Sequence, residues 1–155
     1  MLVARGIVEN QQAILSLGLQ PLVPIAPELS PTAQPISIPI REYKALIDTG
    51  AQRTCLTKAT VQKEQLAAHG KRSIQNVHNV QVHYLYWVNL GFWCEDSTPI
   101  GAQESHRTYF ALPSPTEVID IASNYWFDAI IGMDVLRRYD LLIEASGHFQ
   151  LILKK

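Results

Sequence analysis

Apolar residues occupy every second position through Val80, Val82, Tyr84, Tyr86, Val88, Leu90 and Phe92. A period of two held that long predicts one extended strand with a face on the core. Gln81, His83, Leu85, Trp87, Asn89 and Trp93 stand opposite, and their mixed character predicts that part of the second face is covered too. A shorter alternation sets Ile36, Ile38 and Ile40 against Ser37, Pro39 and Arg41; it predicts a half-buried strand with residues 41–44 as its turn. The apolar run Ala45, Leu46, Ile47 then leads straight into Asp48, Thr49, Gly50 and Ala51.

Residues 58–69 make the best helical segment, since Thr57 can cap its free amides and Gly70 can stop it in a left-handed turn. Residues 95–107 are polar and predict a loop before a strand over 108–112, which Pro113 and Pro115 end. Residues 127–132 suit a buried strand, and 133–139 a helix of one or two turns. Residues 141–144 and 148–153, joined by Ala145, Ser146 and Gly147, predict a terminal hairpin. Six of the nine prolines fall between Pro21 and Pro39, so that stretch is expected to be loop and edge strand. Strands outnumber helices. The expected fold class is therefore all-β, with one compact domain over residues 36–155 and an N-terminal strand and proline-rich extension over 1–35.

The chain has 155 residues, 47% of them hydrophobic, enough to bury a core and too many for general disorder. Its formal net charge of -1 argues against nucleic acid as a partner. Cys55 and Cys94 are too few and too far apart for a disulfide framework, so a reducing, cytoplasmic compartment is expected. Residues 1–10 do not read as a secretory signal. The greasiest stretch, residues 14–26, is interrupted by Gln20, Pro21 and Pro24, so no membrane partner is expected. His69, His78, His83, His106 and His148 are scattered without ligand spacing, and neither a metal nor any other cofactor is expected. The usual serine-hydrolase, Walker and dinucleotide motifs are missing as well.

An Asp-[Ser/Thr]-Gly triplet arises by chance in roughly 5 to 10% of chains this long, and a strand ending in an Asp-Gly turn is its plain explanation. With Leu46 and Ile47 before it and Ala51 after it, the chance falls to about one in a thousand or less.

Here the chain resembles the retropepsin-like aspartic proteases. The resemblance rests on Leu46-Ile47-Asp48-Thr49-Gly50-Ala51 with Thr54 soon after, and on Ile130-Ile131-Gly132 followed by Met133-Asp134-Val135-Leu136. It implies an acid-protease closed β-barrel with one or two short helices, active as a two-fold homodimer. It also implies an aspartic endopeptidase acting on an extended peptide or protein, with Asp48 catalytic. By resemblance Thr49, Gly50, Ala51, Ile131 and Gly132 support the active loop. A substrate-covering flap would fall on residues 73–84, with Asn76, Val77, His78 and Asn79 at its tip. Only one such triplet exists in the chain, so a pair of carboxylates requires two copies. The chain departs from the family in two ways. No glycine lies between Gly70 and Gly91, and Gln52 and Met133 stand where viral members place an acid and an arginine. Those departures leave a second reading open, a peptide-binding or dimerisation module on the same fold without turnover. Cys55, in an apolar setting, reads as a small core residue. Asp134 reads either as a partner of Arg53 or Arg138 or as a solvated acid at a helix start.

Overall fold

The computed structural model describes residues 1–22, 38–75, 78–96 and 107–154. The chain opens with a tight hairpin, β1 (Leu2–Glu9) and β2 (Gln12–Pro21), paired through Glu9↔Gln12. Asn10 and Gln11 between them both take positive φ, 50° and 64°, the backbone twist that a two-residue hairpin turn requires. Leu15, Leu17 and Leu19 of β2 are fully buried. β1 pairs with the C-terminal strand and β2 with β3, so the described part of residues 1–35 is built into the main sheet.

β3 (Arg41–Ile47) starts where a turn was expected. Residues 38–40 are not strand, and Ile36 and Ser37 lie outside the described residues. The physical reason is in the burial: Tyr43, Ala45 and Ile47 point to the core while Arg41, Glu42 and Lys44 stay exposed, so the polar residues are the outer face of a strand. β4 (Cys55–Thr57) follows, then α1 (Lys58–Lys63). Thr57 caps α1 as expected, its hydroxyl accepting the Thr60 amide at 3.3 Å. The helix ends well before His69. Gln65 takes the left-handed conformation at φ 52°, the Leu66 amide bonds back to the Val61 carbonyl and the Gln65 amide to that of Gln62. This is a Schellman stop, and it lets Leu66 turn back onto the core beside Val61. Gly70 instead opens β5 (Gly70–Gln75).

β6 (Val80–Asp96) is the long strand that the alternation predicts. Tyr86, Val88, Leu90 and Phe92 are buried, but Val80, Val82 and Tyr84 are about half exposed or more, at 62, 53 and 48%. The apolar stripe thus runs past the core into the β5–β6 hairpin. Along its length β6 pairs with β5, then with β8 (Thr116–Ile121) and β2, then with β7 (Arg107–Ala111) and β1. Most of the expected loop at 95–107 lies outside the described residues.

β8 (Thr116–Ile121) was not foreseen. Asp120 breaks its apolar pattern, yet is 2% exposed, because its carboxylate accepts the Tyr84 amide from β6 at 2.9 Å. β9 (Ala129–Ile131), α2 (Met133–Leu136), β10 (Asp140–Ile143) and β11 (His148–Lys154) complete the chain close to their expected places. The order of pairing is β10-β11-β1-β2-β3-β9-β4-β8-β6-β5, with β6 returning to β2 and β1. No helix of the described residues is long and apolar enough to cross a membrane.

Candidate active site

The site forms where β9 lies between β3 and β4. β3 runs parallel to it, with Ile47 opposite Ile131, and β4 runs antiparallel on its other side, with Cys55 opposite Ile130. The chain leaving β3 must therefore cross the end of β9 to reach β4. Residues 48–54 make that crossing.

Asp48 is the first residue of the crossing, and its amide donates to the Ile131 carbonyl at 3.1 Å, which carries the ladder one step into the loop. The carboxylate is half-buried. Its Oδ1 accepts the Gly50 amide at 2.8 Å, so the side chain is aimed by its own loop. A β-carbon on Gly50 would lie 3.1 Å from that oxygen, which is why a glycine fits there. The loop then clamps onto the start of α2: the Met133 amide donates to Ala51 O at 2.8 Å and the Asp134 amide to Gln52 O at 3.2 Å. Gly132 has an ordinary φ of -95°, so its reason is space. A β-carbon there would sit 2.6 Å from both the carbonyl carbon and the oxygen of Arg53.

Thr54 is fully buried and ties the two motifs together. Its hydroxyl donates to Asp134 Oδ1 at 2.7 Å and accepts the Gly132 amide at 3.2 Å, while its own amide donates to Asp134 Oδ2 at 3.0 Å. Asp134 is thus neither Arg-paired nor a solvated acid. Removing the Thr54 hydroxyl while keeping its shape leaves a buried amide without its acceptor, so Thr54→Val is expected to cost about 2 kcal/mol. Urea unfolding measures this, and a loss below about 0.5 kcal/mol would show that the hydroxyl does not lock the loop.

Arg53 turns the other way and donates to Glu117 Oε1 at 2.6 Å. Glu117 also receives His69 Nε2 at 3.0 Å, and His69 stacks on Trp87. The Arg53 guanidinium holds the Glu117 carboxyl below the usual carboxylate range. This network was not legible in the sequence, since its members come from the active loop, the residue before β5, β6 and β8. Cys55 is buried, and burial, with Asp134 and Asp48 nearby, pushes its thiol up to about 12. A thiol kept protonated in that way is a poor nucleophile.

The β5–β6 hairpin pairs through Gln75↔Val80 at its outer end. His78 and Asn79 are exposed, and Asn76 and Val77 lie outside the described residues. Between this hairpin and the active loop runs a groove of about 460 Å³. It is walled by Ala51, Gln52 and Arg53 on one side and by Arg72, Ser73, Ile74 and Gln75 on the other, with Cys55 and Ile119 between. It begins three residues beyond Asp48. A larger hollow of about 580 Å³ lies at the far end of β3, beside Glu42 and Lys44, away from this chemistry. Among the described residues, no group of three or more His, Cys, Asp or Glu side chains is placed to hold a metal ion.

The described residues are mostly β with two short helices, and their fold is retropepsin-like, as a solved structure shows. Among solved structures the chain is similar to a retropepsin-like aspartic protease from Rickettsia conorii, at 13% identity and a TM-score of 0.55, over 96% of this chain and 89% of that one. It also matches the foamy viral protease-reverse transcriptase in complex with an RNA/DNA hybrid, at 19% identity and a TM-score of 0.40, over 84% of this chain and 13% of that chain. A third match is the retroviral protease-like domain of Ddi1 from Leishmania major, at 19% identity and a TM-score of 0.36, over 68% of this chain and 74% of that one. No protein-family model matches the sequence, and no curated protein does.

Proposed function

We propose that the chain is an aspartic endopeptidase, active as a two-fold homodimer in which each copy contributes Asp48. The observation that carries this reading is the Asp48 carboxylate, half-buried at the end of β3 with one oxygen aimed by the Gly50 amide. Asp48 Oδ2 has no protein donor among the described residues. Peptide hydrolysis without a metal needs a base for water and an acid for the carbonyl oxygen, and two carboxylates sharing one proton supply both. One chain holds a single such acid, and an isologous contact brings the same group to itself across a two-fold axis. Thr49, exposed beside Asp48, offers its hydroxyl to the partner loop. The return of β6 to β2 supports the closed-barrel form of the fold.

The substrate lies extended between the active loop and the β5–β6 hairpin, bonding through its main chain like an added strand. The hairpin's lack of glycine supports the alternative of a binding module without turnover, and one experiment separates the two. A statine-type transition-state mimic is expected to titrate the protein at one molecule per two chains, alongside cleavage of a peptide pool on the acid side of pH about 3 to 8. Binding of one mimic per chain would remove the shared site. Peptide binding without cleavage at any of those pH values would leave the module.

A further inference from the structure

The groove between the active loop and β5 is lined by two arginines, and no acidic side chain lines it among the described residues. Arg53 uses Nη1 on Glu117, which leaves most of its five N–H donors unspent. Glu117 is in turn taken up by Arg53 and His69. Arg72 has no ion pair within 4.0 Å among the described residues, though it lies near enough to help hold the Glu117 carboxyl low. It shares a strand face with Ile74, two residues on. The groove therefore combines an apolar floor, made by Cys55, Ile74 and Ile119, with an arginine at its wall, Arg72, that makes no ion pair within 4.0 Å among the described residues. A short aliphatic stem ending in a carboxylate satisfies both.

We infer that this groove is a subsite selecting a Glu or Asp side chain of the bound peptide, with Arg72 as its main contact and Arg53 as the second. The inference rests on the reading of the Asp48 loop and the hairpin as a peptide cleft, and adds to it a substrate class. The carboxylate meets Arg72 in a bidentate pair, a geometry a lysine would not reproduce. Gln52 lines the same groove as a neutral donor.

The test uses a randomised octapeptide pool, selected for binding to the full-length Asp48→Asn chain and separately profiled for cleavage by the unaltered chain. Glu and Asp are expected to be enriched over Gln and Asn about fivefold at one position. The enrichment fades in 1 M salt and at pH 3.5, where screening and protonation of the peptide carboxyl remove the attraction. Arg72→Glu replaces it with enrichment of Lys and Arg at the same position, and Arg72→Gln abolishes it. Cleavage without acidic enrichment, or with an enrichment that Arg72→Glu leaves unchanged, overturns the subsite and leaves the endopeptidase standing, whereas binding with neither acidic enrichment nor cleavage overturns both. Acidic enrichment among bound peptides with no cleavage keeps the subsite and removes the endopeptidase. A pool neither bound nor cleaved removes both.

Discussion

Asp48→Asn is expected to lower peptide cleavage by at least about a thousandfold while leaving the fold intact. The amide has nearly the shape of the carboxylate, so its oxygen still accepts the Gly50 amide that now sits 2.8 Å from Oδ1. The loop should therefore keep its conformation, and unfolding free energy should move by no more than about 0.5 kcal/mol, as for a substitution that breaks no buried contact. Chemistry is another matter. An asparagine can neither take a proton from water nor share one across the two-fold axis, and loss of general acid-base catalysis alone is worth about 10²–10⁴ in rate. Because each half of the proposed site uses the same residue, one substitution removes both carboxylates. Parallel measurement of cleavage and urea unfolding checks the prediction. Cleavage that survives would take Asp48 out of the mechanism, and a large loss of stability would show that its charge holds the loop.

Gly132→Ala is expected to have the largest effect on stability. The new methyl group would stand 2.6 Å from the carbonyl carbon and oxygen of Arg53 and 2.9 Å from Ala51 O, all backbone atoms of the loop that carries Asp48. Alanine tolerates the local φ of -95°, so the penalty is one of space rather than of backbone conformation. Overpacking a well-fitted site costs about 1–3 kcal/mol, and a backbone wall that cannot swing aside puts this case at or above 3 kcal/mol. Relief would come only by lifting residues 51–53 off α2, which breaks the Ala51–Met133 and Gln52–Asp134 bonds and unseats Asp48. Cleavage should fall with stability. Gly70→Ala is the control, since a methyl group there meets only Leu85 Cδ1 at 3.5 Å. Equal unfolding free energies for the two variants would remove the close-packed role of Gly132.

Several elements could be read directly because their rules act over a few residues. The alternation in β6, the Thr57 cap of α1 and the terminal hairpin closed by Gly147 at φ 85° are of this kind. The end of α1 was not, because its stop uses Gln65 in a conformation usually left to glycine, held there by Leu66 docking on the core. β8 escaped for a similar reason. An aspartate inside an apolar strand reads as a break until a neighbouring strand supplies the Tyr84 amide to satisfy it.

The same division runs through the candidate site. Two short motifs, read in order along the chain, pick out Asp48 as the candidate acid, the loop that bears it and the strand behind it, since residue type and spacing are local properties. They did not disclose what locks the loop or what colours the groove beside it. The Thr54–Asp134 bonds join positions 80 residues apart, and Arg53 meets Glu117 across 64. Such partners are chosen only once β9 has inserted between β3 and β4, because burial removes water as the competing partner and leaves each polar group the one neighbour that the sheet brings within reach.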